Sequence, residues 1–286
     1  MPRATAYVRL LRPENDVMMG VIVIVGALVA GSGSLPASSS LLIGFLVGFA
    51  LAASAMVLND IADVNIDRLN DPSRPIPSGQ VSLRSAWALF GLLSAAGLAL
   101  AALQGVPELA LAAISYAVAV SYDLRGKRTG LPGNMMVAFT GVSPVLYGAL
   151  LSRGINLTVA LEALMIFLAM VGREIAKGVA DVEGDRANGI RTLAVVVGPR
   201  RAALASLGFF VAAVSLSPLP PALGLMNPVA YSVPVALADV GFLLSSISVV
   251  RDPSRPTALR AKELQLAMYA VALVGFALGA LRYIIR

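Results

Sequence analysis

Two groups of acidic side chains recur at a spacing that could bind metal ions. In the first group, Asn59, Asp63 and Asp67 occupy every fourth position, with Asp60 beside them. On an α-helix, residues four apart lie on one face, so these side chains would form a row. Like charges in such a row repel each other, and the repulsion grows where water is scarce. The spacing therefore predicts that a cation binds between them.

The second group lies further along the chain and has the same spacing. Asp181 and Asp185 continue a row that begins with Arg173 and Lys177. Oxygen ligands without nitrogen or sulfur favour a hard ion, and Mg²⁺ typically uses one or two carboxylates, water and the phosphates of its substrate. The two groups together indicate a diphosphate that is bridged to both by Mg²⁺.

Basic residues near both groups are candidates for binding that diphosphate. Arg74 lies in a segment stiffened by three prolines, and Lys127 lies in a short basic loop. Either could instead be a surface charge that sets orientation or contacts lipid headgroups. We expect Arg74, Lys127 and Lys177 to bind the diphosphate.

The composition requires a membrane around these groups. Of the 286 residues, 58% are hydrophobic and 13% are charged, and the mean hydropathy is +0.82. A soluble domain carries about a quarter charged residues. The chain has no histidine and no cysteine, which excludes thiolate nucleophiles, zinc sites built on those residues and Ser-His-Asp triads.

Apolar runs bounded by glycine, proline and charged residues predict an all-α, polytopic membrane protein with about nine transmembrane helices. The helices are expected at 16–32, 38–58, 84–103, 107–122, 131–151, 158–175, 201–217, 226–249 and 263–284.

The basic residues lie almost entirely on one side of this predicted topology. With a cytoplasmic N-terminus, every Lys and Arg faces the cytoplasm except Arg153, Arg282 and Arg286. This asymmetry follows the positive-inside rule and places both acidic groups on the cytoplasmic side of the cell membrane. The net charge of +6 therefore reflects topology, and no feature indicates a nucleic acid or an obligate protein partner.

An internal repeat relates the two acidic groups. Residues 62–70 and 180–188 both read A-D-V-x-x-D-R-x-N, with four predicted helices between them. The repeat predicts a single domain, 1–286, made of two related four-helix halves at about 16–122 and 131–249 plus an extra helix at 263–284. Duplicated halves commonly bury a site between them.

Other interpretations of the acidic groups stay open at this point. The acids could cap helices in solvated loops at the membrane edge, or they could line the pathway of a cation or solute transporter. Against a transporter, they lie at helix ends on one side of the membrane. A noncatalytic lipid-binding scaffold would leave the paired acidic groups unexplained.

The motif N-D-x-x-D-x-x-x-D at 59–67, with D-x-x-x-D at 181–185, resembles the UbiA superfamily of intramembrane prenyltransferases. The resemblance implies nine helices around a central cavity open to lipid, and a prenyl diphosphate held through two Mg²⁺ ions. It assigns one ion to Asn59, Asp63 and Asp67. The other ion is assigned to Asp181 and Asp185.

Finer features are similar to the branch of this superfamily that builds archaeal ether lipids. They include R-P-I-P-S-G at 74–79 and L-P-G-N at 131–134. This similarity implies transfer of a geranylgeranyl group to the hydroxyl of geranylgeranylglyceryl phosphate, which forms an ether bond. The alternative within the superfamily is an aromatic prenyltransferase that acts on a hydroxybenzoate or quinone precursor.

Individual residues receive roles from this interpretation. Asp60 is expected to take the proton of the acceptor hydroxyl, and loss of Asp63 or Asp181 is expected to abolish product formation. In the third cytoplasmic loop, many relatives have two adjacent cations where this chain has Gly126 and Lys127. The residues expected to line the substrate pocket are Tyr122, Asn134, Ser143 and Tyr147, although Ser143 and Tyr147 could equally make ordinary helix contacts.

Overall fold

The computed structural model describes residues 3–187 and 189–281, and within these residues it contains helices and turns but no strand. In chain order the helices are α1 (Arg3–Leu11), α2 (Pro13–Ala30), α3 (Ser38–Ala62), α4 (Val64–Asn70), α5 (Leu83–Ala102), α6 (Val106–Leu124), α7 (Leu131–Leu150), α8 (Leu157–Ala180), α9 (Val182–Ala187), α10 (Leu193–Val197), α11 (Pro199–Leu216), α12 (Leu219–Ala222), α13 (Pro228–Arg251) and α14 (Arg255–Ala280). A short 3₁₀ helix, Gly126–Arg128, follows α6.

Six of these segments are long and apolar enough to cross a membrane. They are α2, α3, α5, the pair α11 and α12 taken together, α13 and α14. The prediction of an all-α, multi-pass membrane protein is therefore confirmed. Three further long helices, α6, α7 and α8, are not among these six. Helix α6 carries Glu108 and Asp123, and α8 carries Glu162 and Glu174, whereas α7 carries no charged residue. All three helices border the cavity described below.

The helices pack around five apolar clusters among the described residues. The largest cluster joins α2, α7, α8, α13 and α14, with Val29 and Phe276 among its members. Helices α2 and α7 come unusually close, because a methyl group added at Gly26 or Gly148 would collide with a backbone carbonyl of the other helix. Small residues that let backbones approach are the usual basis of helix packing in lipid.

Two of the described helix boundaries differ from the predicted ones in ways that affect the site. Helix α8 continues to Ala180, past the predicted end at 175. Helix α14 begins at Arg255 rather than near 263, since Ser254 is its N-cap and Pro256 fits the first turn. The sequence prediction followed the apolar run and missed these capping residues. The predicted end at 284 and Asn188 of the repeat lie outside the described residues.

Candidate active site

Both acidic motifs lie where a long helix bends into a short one. Asp63 ends α3 with φ −94° and ψ 5°, and Asp181 ends α8 with φ −100° and ψ 4°. The short helices α4 and α9 then begin at the next residue. The two copies of the repeated sequence therefore adopt the same backbone bend at the same aspartate.

The fourfold spacing of each row survives this bend. The backbone N–H of Asp63 donates to the carbonyl of Asn59 at 2.9 Å, and that of Asp67 donates to the carbonyl of Asp63 at 2.8 Å. In the second motif, the N–H of Asp185 donates to the carbonyl of Asp181 at 2.9 Å. Each motif therefore keeps its side chains on one face, as the spacing predicts.

The first motif is neutralised by basic side chains from other segments. Asp60 is 3% exposed, and its carboxylate is bound by Arg12 at 2.5 Å and by Arg74 at 3.3 Å. Arg74 also binds Asp67 at 2.7 Å, and Lys127 forms an ion pair with Asp63. Arg12, Asp60, Arg74 and Asp67 thereby form one chain of ion pairs, and Asp63 and Lys127 form a separate pair.

The amide of Asn59 adds a contact that the sequence analysis did not anticipate. Its Nδ2 donates to a carboxylate oxygen of Asp123 at 3.0 Å, and Asp123 is buried at the end of α6. Asn59 therefore lies at the junction of α3 and α6 with its side-chain oxygen still available. Within the described parts of the chain, no three acidic side chains already form a group that could hold a metal ion.

The first motif nevertheless suits a hard divalent ion. Its donors are carboxylate and amide oxygens, which Mg²⁺ prefers. The amino and guanidinium groups of Lys127 and Arg74 stand beside Asp63 and Asp67 as positive partners. These carboxylates therefore already lie where positive charge is favoured, and a metal ion would satisfy the same requirement.

The second motif is organised differently. Glu174, which is buried, binds Arg173 at 3.1 Å and Lys177 at 3.5 Å on its own helix. No basic side chain in the described ranges forms an ion pair with Asp181 or Asp185. Burial, together with the neighbouring charge of Asp181, raises the pKa of the Asp185 carboxyl. A cation bound here would favour the ionised carboxylate.

Tyr122 connects the two motifs. It lies on α6 within electrostatic range of Asp63 from the first motif and of Lys177 and Glu174 from the second. Lys177 in turn interacts with the charge of Asp181. Charged groups of both motifs therefore lie near Tyr122.

A cavity of about 570 Å³ extends from this region between six helices, α2, α3, α6, α7, α8 and α14. Its volume lies within the ~300–1,000 Å³ typical of small-molecule sites. Lys177, Ser143 and Tyr147 border it, whereas Tyr122 and Asn134 do not. The Ser143 hydroxyl lies 2.6 Å from that of Ser115, and the buried Tyr147 hydroxyl has no hydrogen-bond partner among the described residues.

The family of this chain is identified by comparison with known proteins. The UbiA prenyltransferase family matches residues 19–271. The chain belongs to this family. As a UbiA prenyltransferase it is a membrane-embedded enzyme, and the predictions of prenyl transfer and of enzymatic function are confirmed.

Three relatives describe where this UbiA prenyltransferase stands within the family. Digeranylgeranylglyceryl phosphate synthase of Pyrococcus abyssi is 37% identical over 276 residues, which cover 96% of this chain and 97% of that protein. A solved structure of a digeranylgeranylglyceryl phosphate synthase in membranes superposes with a TM-score of 0.82 at 29% identity, covering 99% of this chain and 100% of that one. A UbiA homolog from Archaeoglobus fulgidus bound to GPP and Mg²⁺ has a TM-score of 0.67, 18% identity and coverage of 93% and 98%, and therefore shows the fold alone.

Three residues that touch this site were not assigned roles from the sequence. Arg12 binds Asp60 and holds a left-handed backbone, with φ 55° and ψ 60°, directly before Pro13. Such a conformation costs about 1–3 kcal/mol in a residue other than glycine and often marks functional sites. Asp123 and Asp16 are buried acids at the ends of apolar helices. Their signal in the sequence was a carboxylate at the end of a predicted membrane span.

Proposed function

We propose that this chain transfers a geranylgeranyl group from its diphosphate to the hydroxyl of geranylgeranylglyceryl phosphate, forming an ether bond in membrane lipid biosynthesis. The observation that carries the proposal is the nearly full-length match, at 37% identity, to the synthase of that name. The paired motifs at one end of a mainly apolar cavity support it, because a prenyl diphosphate has the same division into a charged head and a long apolar tail.

Two Mg²⁺ ions are proposed as cofactors, in line with the family's Mg²⁺-bound structures. Asn59, Asp63 and Asp67 would hold one ion, and Asp181 and Asp185 the other. When bound, Mg²⁺ neutralises the diphosphate and stabilises the charge that develops as this group leaves.

The basic residues are proposed to take over the diphosphate oxygens. Arg74 and Lys127 now bind Asp67 and Asp63, and Lys177 borders the cavity beside the second motif. As the diphosphate departs with the electron pair of the broken C–O bond, these preorganised cations stabilise it. Aligned cations in a site shielded from water supply most of the acceleration in such a reaction.

The apolar part of the cavity is proposed to hold the prenyl tail and to keep water from the reacting carbon. Leu51, Leu111 and Val47 line it away from the charged end. Excluding water prevents hydrolysis of the allylic cation-like centre. Ser143 and Tyr147 border this part, and we infer that the cavity opens to lipid so that a membrane-bound acceptor can enter.

The site is proposed to lie on the cytoplasmic side of nine membrane spans. In addition to the six apolar segments, α6, α7 and α8 would cross as polar-lined spans around the cavity. This arrangement puts almost all basic residues on the side of both motifs, in agreement with the positive-inside rule. The common bend at Asp63 and Asp181 supports a single domain built from two related halves.

Product analysis with purified protein tests this proposal. With Mg²⁺ and labelled geranylgeranyl diphosphate, we expect digeranylgeranylglyceryl phosphate from geranylgeranylglyceryl phosphate and no product from hydroxybenzoate. Chelation of Mg²⁺ should abolish product formation. Product from the aromatic acceptor alone would replace this proposal by aromatic prenyl transfer, and Mg²⁺-independent solute uptake by vesicles would replace it by transport.

A further inference from the structure

A buried carboxylate borders the cavity without belonging to either motif. Asp16 on α2 is fully shielded from solvent, and neither of its oxygens has a hydrogen-bond partner within the described residues. Burying an unpartnered carboxylate costs several kcal/mol. A group that enters the cavity is the natural source of the missing partner.

An unpaired cation reaches the same cavity from the last helix. Lys262 on α14 lines the cavity and makes no ion pair with the described part of the chain. Leu266, one helical turn further, lines it too. The sequence predicts Lys262 in a cytoplasmic loop, whereas the early start of α14 places it on the helix face that borders the cavity.

Asp16 and Lys262 lie at nearly the same depth. The C-terminal ends of helices α2 and α14 meet, because a Cβ atom on Gly33, just beyond α2, would lie 3.0 Å from the carbonyl oxygen of Ala280. Val29 and Phe276 belong to one core cluster near those ends, and the opposite ends of both helices border the cavity, so the two helices run in the same direction. Both helices rise by about 1.5 Å per residue, so Asp16 and Lys262 lie similar distances back from the shared end.

Arg173 on α8 completes this group. It borders the cavity, and its Nε is a buried donor with no hydrogen-bond partner among the described residues, although another of its nitrogens binds Glu174. Its charge also interacts with Tyr269, which lies two turns beyond Lys262 on α14. Arg173 therefore faces α14 and offers a free N–H beside the cavity.

We propose that these residues form the binding site for the acceptor's head group: Lys262 and Arg173 bind its phosphate, and Asp16 accepts the proton of its hydroxyl. The inference rests on the proposed function. The acceptor geranylgeranylglyceryl phosphate carries one phosphate and one free hydroxyl, and the cavity offers free cationic donors and one free carboxylate in the same region. Asp60 is already bound by Arg12 and Arg74, and it is therefore poorly placed to take the proton.

The chemical step balances with these residues alone. The hydroxyl oxygen attacks the allylic carbon and forms the ether C–O bond, while the C–O bond to the diphosphate breaks and its electrons leave with the diphosphate. The hydroxyl proton passes to the Asp16 carboxylate and then to water. No oxidant or further reactant is required.

The phosphate role is tested by Lys262→Gln, with Arg260→Gln as the matched control because Arg260 is exposed and does not line the cavity. Loss of one charged hydrogen bond should raise KM for geranylgeranylglyceryl phosphate about tenfold or more, with KM for geranylgeranyl diphosphate unchanged. Arg260→Gln should leave both values unchanged. An acceptor KM within twofold of wild type in Lys262→Gln would overturn the phosphate role.

The proton role is tested by Asp16→Asn and Asp16→Ser, with the exposed Glu14→Gln as control. Loss of a general base should lower kcat about 100-fold or more while binding of geranylgeranyl diphosphate is retained. That binding also reports whether each variant is folded. A kcat within threefold of wild type in either folded variant overturns this role.

Failure of the function and failure of the inference give different results. Wild-type protein that prenylates only hydroxybenzoate would refute the proposed function, and with it the phosphate subsite. Wild-type protein that makes the ether lipid while Lys262→Gln and Asp16→Asn behave like their controls would refute the acceptor subsite alone.

Discussion

The two acidic motifs have the same sequence pattern and the same backbone bend, yet different partners neutralise them. In the first motif, basic residues from three other segments bind the carboxylates, as Arg74 does with Asp67. In the second, the nearby basic residues bind Glu174 on their own helix, and Asp185 has no basic partner among the described residues. The two motifs therefore have similar backbones but different ion pairs.

This difference predicts different consequences of ligand binding at the two motifs. At the first motif the proposed metal ion and diphosphate would have to displace existing ion pairs, and the released cations would become available to the phosphates. At the second motif an incoming cation would meet carboxylates that form no ion pair with the described residues. We therefore expect changes in the first motif to affect stability and catalysis together, and changes in the second to affect mainly ligand binding.

The largest effect on activity is expected when either motif loses the aspartate at its bend. Asp63→Ala and Asp181→Ala should each lower activity by about 1,000-fold or more, because each removes a proposed Mg²⁺ ligand, and that ion would neutralise the departing diphosphate. Product formation from labelled geranylgeranyl diphosphate measures this loss.

Glu183→Ala is the matched control for both substitutions. Glu183 lies in the second motif but is exposed and off the row. Its removal should leave activity within about twofold. Full activity in Asp181→Ala would show that the second motif is not needed to bind the substrate. It would refute the proposal that the two motifs act together.

The next largest effect should distinguish the motifs by stability. Arg74→Gln leaves Asp67 without its basic partner and Asp60 with only Arg12, which should cost about 2 kcal/mol or more without metal. Lys177→Gln should cost less, because Arg173 still binds Glu174. Thermal unfolding in Mg²⁺-free buffer measures both, and added Mg²⁺ should restore part of the loss in Arg74→Gln. Equal losses of stability in Arg74→Gln and Lys177→Gln would contradict the expected difference between the two motifs.

A smaller effect concerns the ion pair that the sequence analysis missed. Arg12→Gln and Asp60→Asn should each destabilise the protein, and the double variant should lose less than the sum, with a coupling energy of about 1–2 kcal/mol. Additive losses would mean that the 2.5 Å contact contributes nothing to stability. The pair Glu14→Gln with Asp60→Asn is the additive control, because Glu14 is exposed and makes no ion pair with the described residues.

The spacing of residues predicted the rows and the membrane class, because both depend on local periodicity. Asn59, Asp63 and Asp67 keep their fourfold spacing, and the apolar runs became helices. The bends at Asp63 and Asp181 could not be predicted from the spacing of residues, because the same fourfold spacing continues through each bend.

Partnerships across the chain could not be read from local sequence. Arg12 was predicted only as a topological charge, and its contact with Asp60 depends on a left-handed turn before Pro13. Lys262 was assigned to a loop because the apolar run begins after it. Tyr122 and Asn134 were expected to line the pocket, but α6 and α7 place other side chains there. Tertiary packing decides these positions.

The smallest predicted effect concerns the melting temperature of Mg²⁺-free protein. Substitutions in the two motifs should shift it in opposite directions. Burial raises the pKa of Asp185, so its ionised form costs stability at neutral pH, and Asp185→Asn should raise the melting temperature by about 1 °C. This gain should shrink below about pH 4, where the carboxyl is protonated in both the folded and unfolded states. Asp67→Asn should instead lower the melting temperature, because Arg74 loses an ion pair at 2.7 Å. A shift of the same sign in both variants would mean that the two motifs do not differ electrostatically.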